Sequence, residues 1–244
     1  MKLFTKILLI GVIVLTSSYS LTQEDIIIDA EQTMVWDRDN QQFIARGNAQ
    51  ATRGETIVRA DEIIAYYQDG QAQEITSITA EHGVVITNGD QTYTGAFARY
   101  DLDAEELEII GSPARVRTPD GTISAHERLV ISDNRVDAYV DAKVDYQGST
   151  LHAEHITMIL DQNGDLKTMQ AKRNVHIENK SNKVTGEHAT FDSANQIVEV
   201  SGDAVFYQDG AEVFGSKIIF DLEKGIGTVM PGDDGRVRGI IIDQ

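Results

Sequence analysis

Cysteine is absent from the 244 residues, and proline occurs only three times. Without cysteine the chain has no disulfide, no thiol catalysis and no lipid-modified N-terminal cysteine, so its stability has to come from burial alone. The prolines, Pro113, Pro119 and Pro231, stand outside the centres of the strands predicted below, where a missing N–H would interrupt the ladder. The sequence therefore permits a long run of β-structure.

Basic residues are scarce as well. Twenty-one lysines and arginines stand against 39 acidic residues, which gives a net charge of −18. Binding to nucleic acid depends on clustered positive charge that neutralises phosphates. The sequence has no basic stripe, so we expect no nucleic-acid partner.

Long apolar runs are also few, and the clearest one lies at the N-terminus. Lys2 and Lys6 precede the apolar residues 7–15, and Ser18 and Ser20 follow them. A membrane-spanning helix needs about 20 apolar residues. This pattern therefore predicts a secretory signal peptide over residues 1–20, with the mature chain beginning near Leu21. A retained inner-membrane anchor is the alternative.

The sequence does contain a repeat. Seven times a small residue follows an apolar residue two positions earlier, and successive small residues lie 28 to 35 positions apart. A fixed period in this range is typical of stacked supersecondary units that bury their apolar faces against one another. The seven pairs are Ile28/Ala30, Val58/Ala60, Tyr93/Gly95, Ile123/Ala125, Leu151/Ala153, Val184/Gly186 and Val213/Gly215.

The side chains around each pair alternate with a period of two. Further apolar residues stand before most of the small residues and also three and five positions after them, as Ile63 and Ala65 do after Ala60. A period of two places these side chains on one face of an extended strand. Gly, Asn and Asp stand where hairpin ends are needed. We therefore predict an all-β fold of repetitive antiparallel hairpins with about fourteen to sixteen strands.

The repeat continues without a Pro-rich or Ser-rich linker. Residues 21–244 are therefore expected to form a single domain. Two alternatives exist for the end of this domain: the segment 231–244 forms one more strand, or it caps the edge.

Other kinds of chemistry find little support. Glu precedes His three times, as in Glu154-His155, but adjacent residues of a strand face opposite ways, so these pairs do not converge. The segment that begins with residues 161–165 lacks the glycine at the sixth place and the glutamate at the twelfth place of a calcium loop, so it favours a hairpin turn. Phosphate-loop and nucleophile-elbow motifs are missing. We expect no catalytic residue, no metal site and no cofactor, and hence no enzyme.

Five short segments carry a family resemblance. They are 26–32 (IIIDAEQ), 43–49 (FIARGNA), 57–63 (IVRADEI), 215–221 (GSKIIFD) and 235–241 (GRVRGII). In their order they resemble the LptA/OstA family of periplasmic lipopolysaccharide-transport proteins, over nearly all of residues 24–242. The resemblance implies an elongated, twisted, partly open β-jellyroll. It also implies a non-enzymatic lipopolysaccharide-binding protein of the periplasm that serves outer-membrane biogenesis.

The resemblance gives the apolar positions a role. Many small side chains, such as Ala51 and Ala65, share a face with Ile, Phe and Tyr, and this leaves space either for a groove or for close packing against larger partners. The family favours a groove that shields the acyl chains of lipid A. The candidate lining residues are Ile28, Val58, Tyr93, Ile123, Leu151, Val184, Val213, Ile63, Ile156, Phe191 and Phe220.

By the same resemblance, such molecules join head to tail and bridge the inner and outer membranes. The open edges would be the first strand, near Ile26–Ile28, and the last strand, within Ile218–Val229, because unpaired edge groups accept an added strand. The expected partners are lipopolysaccharide through its lipid A, other periplasmic and membrane components of the export machinery, and further copies in a head-to-tail homo-oligomer.

Three other functions fit parts of the sequence. With its N-terminal segment retained, the chain would be a membrane-anchored component of the same transport system. A structural or adhesive β-repeat surface protein would use the same hairpins without a lipid. A carbohydrate-acting β-solenoid enzyme would need acidic residues clustered at one level of the stack, whereas here they are spread and lie mostly in turns.

Overall fold

The computed structural model describes residues 25–68, 74–146, 148–162, 164–179, 182–208, 210–232 and 235–241. The predicted signal peptide, residues 1–20, lies outside this part. Within the described residues, no helix is long and apolar enough to cross a membrane.

The described residues form eighteen β-strands. They are β1 (Ile27–Asp29), β2 (Thr33–Asp37), β3 (Gln42–Arg53), β4 (Thr56–Gln68), β5 (Glu74–Asn88), β6 (Gln91–Asp101), β7 (Glu106–Ile110), β8 (Ala114–Arg117), β9 (Gly121–Ala125), β10 (Arg128–Ser132), β11 (Arg135–Tyr146), β12 (Ser149–Leu160), β13 (Leu166–Glu178), β14 (Asn182–Asp192), β15 (Ile197–Gln208), β16 (Ala211–Asp221), β17 (Ile226–Met230) and β18 (Arg238–Ile241). Consecutive long strands pair antiparallel, as β3 does with β4 and β12 with β13. The predicted all-β fold of repeated antiparallel hairpins is confirmed.

The chain divides into two compact units. The N-terminal unit contains the described residues within 25–119 and 124–133, and the C-terminal unit contains those within 120–123 and 134–241. Each unit is built from its own hairpins, β3 to β6 in the first and β11 to β16 in the second. The single domain expected over residues 21–244 stays a prediction.

A corner bends each long strand near its middle. In β15, the residues Gly202 and Asp203 have φ values of 80° and 50° and together oppose the single residue Ser216 of β16. Two residues facing one is a β-bulge, which bends the strand and increases its twist. The corresponding left-handed pairs in the other strands are Gly47/Asn48 in β3, His82/Gly83 in β5, Val140/Asp141 in β11 and Arg173/Asn174 in β13.

The corner explains an odd step in the apolar pattern. In β12, Leu151 and Ala153 are buried before the corner, and Ile156 and Met158 are buried after it. The step of three residues, from 153 to 156, reverses the alternation once, so that both halves of the bent strand turn their apolar side chains inward. Each long strand therefore contributes to two layers.

Within the C-terminal unit the two layers face each other. Phe206 and Phe220 lie in different halves of the β15–β16 hairpin, and neither is the register partner of the other. Their ring centroids are nevertheless 5.3 Å apart. The contact places the apolar interior between the two layers.

Short strands complete the edges. β17 pairs with the second half of β16, and β18 pairs with the first half, where Phe214 opposes Arg238. The tail that the sequence left open thus forms a strand at Arg238–Ile241. β1 and β2 share β3 in the same way, and β7 and β8 share β6. These divided strands explain why the structure has more strands than the fourteen to sixteen predicted.

The repeated small residue lies at the corner, where a neighbouring strand approaches closely. A Cβ atom on Gly186 would lie 2.7 Å from Val200 Cγ1 and 3.0 Å from the carbonyl oxygen of Ser201. At Gly95 it would lie 2.6 Å from Ile109 Cγ2 and 2.8 Å from the carbonyl oxygen of Ile110. Both positions therefore exclude a side chain for steric reasons.

We expect Gly186→Ala to destabilise the fold by about 1–3 kcal/mol, because the added methyl group overpacks the corner against Val200 and a backbone carbonyl. Gly239→Ala is the matched control, since a Cβ there would meet no atom within 4 Å. Urea denaturation followed by circular dichroism measures both. Equal midpoints for the two variants would contradict the steric explanation.

Candidate functional site

The interior of the C-terminal unit is lined by two rows of apolar side chains that run across the strands. Row A lies in one layer and consists of Val144, Leu151, Ile177, Val184, Phe206 and Val213. Row B lies in the facing layer and consists of Met158, Met169, Phe191, Val198 and Phe220.

The two rows do not meet everywhere. A cavity of about 150 Å³ lies between Leu151 and Ile177 of row A and Met169 and Phe191 of row B. Polar side chains such as Gln196 also border it. The cavity offers apolar surface to a guest, with a polar group at its border.

A larger cavity continues the first. It measures about 570 Å³ and is lined by Val184 and Val213 of row A and by Phe220 of row B. Both cavities share the lining residues Ile177 and Val198. Polar residues such as Glu178 and Asp221 also line the larger cavity, so the smaller space is almost wholly apolar and the larger one mainly apolar.

The N-terminal unit contains a smaller cavity of the same kind. It measures about 100 Å³ and is lined by Val58 and Ile86 from one layer and by Ile78, Tyr100 and Leu107 from the other. Burial, followed by the nearby carboxylate of Glu105, raises the pKa of Tyr100, so this phenol stays neutral. The phenol therefore adds no charge to the cavity wall, whose charged lining residue is Arg53.

The structure divides the predicted lining residues into three groups. Six of them line the cavities described above, namely Val58, Leu151, Val184, Val213, Phe191 and Phe220. Tyr93, Ile123, Ile63 and Ile156 are between 0% and 3% exposed and pack in the closed core. Ile28 is half-buried on β1, opposite Ala51.

Several lining residues were not among the predicted candidates. Val144, Ile177 and Phe206 stand nine positions before the small residue of their repeat, so the sequence pattern contained the signal. Val198 precedes its small residue by seventeen positions, and Leu222 follows a strand end. For these two residues the sequence offers no comparable signal.

A polar cluster lies on the other face of the β11–β12 hairpin. Asp137 is 4% exposed and accepts hydrogen bonds from Thr157 Oγ1 (2.6 Å) and from Arg135, and it lies 3.0 Å from His155 Nε2. Tyr139 stacks on His155 at 4.5 Å. Thr157 and His155 lie on β12 and Asp137 lies on β11, so these contacts tie the two strands together and stabilise this part of the wall.

Opposing effects set the pKa of Asp137. Burial acts to raise it, but the hydrogen bonds from Arg135, Thr157 and His155 prevail and hold the pKa below its ordinary value. A carboxylate with a lowered pKa in the folded state stabilises the fold above its unfolded-state pKa, and this contribution is lost as the pH falls through the folded-state value.

We therefore expect the free energy of unfolding to decrease as the pH falls below about 4, the range in which an unfolded Asp becomes protonated. In Asp137→Asn the free energy of unfolding should decrease less, because the carboxylate with the lowered pKa has been replaced by an amide that does not titrate. Asp39→Asn, an exposed turn position, is the control. Urea titrations at pH 6 and pH 3.5 measure the difference, and identical pH dependence in the parent and Asp137→Asn would contradict this account.

Among the described residues, no group of three or more His, Asp and Glu side chains is placed to hold a metal ion. Two-residue pairs do occur in this part of the chain, such as His152 Nε2 and Asp141 Oδ1, which lie 2.8 Å apart.

Comparison with known proteins gives a family. The model of the LptA/(LptD N-terminal domain) LPS transport protein family matches residues 27–135 and 141–226. A solved structure similar to this chain is LptH from Pseudomonas aeruginosa, the LptA homologous periplasmic component of the lipopolysaccharide transport device, with 12% identity over 90% of this chain and 96% of that chain and a TM-score of 0.24. No curated protein matches. The family match confirms the resemblance found in the sequence and covers most of the chain, which therefore belongs to the family of LptA and LptD N-terminal-domain lipopolysaccharide transport proteins.

Proposed function

We propose that this protein is a non-enzymatic lipopolysaccharide carrier of the periplasm that shields the acyl chains of lipid A between its two β-layers. The observation that carries the proposal is the pair of neighbouring, mainly apolar cavities between row A and row B, with Ile177 and Val198 common to both. The family supports lipopolysaccharide as the ligand. The predicted signal peptide supports export to the periplasm.

The energetics of such a site favour carriage. Burial of apolar surface contributes about 0.8 kcal/mol for each CH₂ group removed from water, so a lipid with several acyl chains does not cross an aqueous compartment unaided. Side chains such as Leu151, Val184 and Phe220 offer the apolar surface that this transfer requires. Polar groups at the border leave a hydrated side for a head group.

Filling the cavities tests the proposal. Val198→Phe adds an apolar ring at the residue shared by both cavities, and we expect it to weaken lipopolysaccharide binding about tenfold or more, which corresponds to the burial of about two CH₂ groups. Glu199→Phe is the matched control, because its side chain lies on the opposite face of the same strand and loses only an exposed ion pair with Lys217.

Binding is measured by titration of the exported protein with purified lipopolysaccharide, and circular dichroism checks that both variants fold. Loss of affinity in Val198→Phe alone supports carriage between the layers. If the parent protein binds no lipopolysaccharide, the carrier function is wrong and a structural β-repeat protein becomes the better account.

We further propose that copies of the chain join head to tail, with other components of the export machinery at the two ends of the bridge between inner and outer membranes. The terminal strands carry exposed apolar side chains: Met34 and Trp36 on β2 are 59% and 47% exposed, and Ile226 and Met230 on β17 are 56% and 43% exposed. An edge strand of one copy is a template for an edge strand of the next.

A contact between two different edges does not close on itself, so we expect the mean mass to rise with protein concentration without a limit at the dimer. The double variant Ile226→Lys/Met230→Lys should remain monomeric, because charges on an edge strand oppose strand addition. Glu223→Lys changes the net charge by the same amount in the adjacent turn and serves as control. Sedimentation velocity measures the assembly of both variants. If both assemble equally, β17 is not the edge at which copies join.

A further inference from the structure

The single tryptophan of the chain, Trp36, lies at the open end of an apolar row in the N-terminal unit. This row runs across five strands through the register partners Trp36, Phe43, Ala65, Ile78 and Tyr100. Ile78 and Tyr100 line the cavity of about 100 Å³, whereas Trp36 on the edge strand β2 is 47% exposed. The row therefore connects a solvent-accessible indole to the apolar interior.

Trp36 is held in a fixed orientation. Its ring stacks on Phe43 with the centroids 5.6 Å apart and the planes inclined by 15°. Its Nε1–H donates a hydrogen bond of 2.9 Å to the hydroxyl of Tyr67, a residue that is only 3% exposed. Tyr67 in turn packs on Phe43, with ring centroids 5.0 Å apart. An exposed indole with these contacts is a rigid platform.

A guanidinium group lies on this platform. Arg38 Cζ is 3.9 Å from the centroid of the Trp36 ring. Within the described part of the chain, the structure gives this guanidinium no ion pair and no hydrogen bond, and its contact is the aromatic face. Its N–H donors therefore remain available at the end of the apolar row.

The neighbouring carboxylates do not occupy Arg38. Asp37 accepts hydrogen bonds from the side-chain and backbone N–H groups of Asn40, at 2.8 Å and 3.1 Å, and these bonds lower its pKa. Asp39 is the other acid of this turn and is exposed. A guanidinium stacked on an aromatic ring keeps its planar fork of donors, which matches the oxygens of a phosphate group.

We propose that Arg38, oriented by Trp36, binds a phosphate group on the sugar head of the lipid while the apolar row receives an acyl chain. The inference rests on the carrier function proposed above. Three strand spacings separate Trp36 from Ile78, which amounts to about 14 Å. The two ends of the row are thus far enough apart to bind different parts of one lipid. The end at the edge strand binds the phosphate, and the end in the cavity binds the acyl chain.

The test is a thermodynamic cycle on the exported protein with two ligands, lipid A carrying its phosphates and lipid A from which the phosphates have been removed. Arg38→Gln should lower the affinity for the phosphorylated ligand about tenfold, as expected for a bidentate charged contact, and leave the affinity for the dephosphorylated ligand unchanged. Arg38→Lys should show an intermediate loss, because it keeps the charge without the fork.

Arg59→Gln is the matched control. Arg59 is an exposed arginine of the same unit whose Nε donates to Gln50, and its removal should affect neither ligand. The emission of Trp36, the sole tryptophan, gives a local signal: it should shift when phosphorylated lipid A binds, and inorganic phosphate at the same concentration should leave it unchanged. A shift with inorganic phosphate alone would show a free-anion site and overturn the lipid assignment.

The outcomes separate the two proposals. Equal losses for both ligands in Arg38→Gln, or lipid binding that leaves Trp36 emission unchanged, overturns the phosphate contact and preserves the carrier function. Failure of the parent protein to bind either ligand overturns both proposals. Circular dichroism confirms that the variants fold, which is expected because Arg38 is exposed.

Discussion

The close approach of neighbouring strands at the corners is the constraint on which the remaining structure depends. At each corner a left-handed pair, such as Gly202 and Asp203, faces a shortened segment of the next strand, and a small residue such as Gly186 makes room for the adjacent backbone. The bend reverses the alternation of side chains once, and so both halves of a strand turn their apolar faces toward the same interior. Without it, half of the apolar side chains would face water.

The size of the side chains that face each other across the two layers decides whether the interior is filled or contains a cavity. Where a large side chain fills the space, as the 2% exposed Tyr93 does, the interior is closed. Where medium-sized side chains such as Leu151 and Val198 face the gap, cavities remain. The hydrogen bonds around the buried Asp137 stabilise the β11–β12 part of the wall. The cavities in this fold thus arise from a local deficit of side-chain volume between two ordered layers.

Part of the candidate site could be predicted from periodicity. Val58, Leu151, Val184 and Val213 stand two positions before the small residue, and the structure places each of them on a cavity wall. Tyr93 obeys the same rule but is 2% exposed in the closed core, because its large ring fills the space that a valine leaves empty. Periodicity gives the face of a strand on which a side chain lies; it does not give the distance to the opposite layer.

The sequence by itself determined the strands, their alternation, the hairpin ends and the small residue of each repeat, because these follow from local sterics and from a period of two. It also carried the family, through the order of short segments along the chain. Only the tertiary structure decided where the corners lie, which apolar residues face a cavity, and that Arg38 lies on Trp36. These features depend on the distance between side chains far apart in sequence, and the packing of whole layers sets that distance.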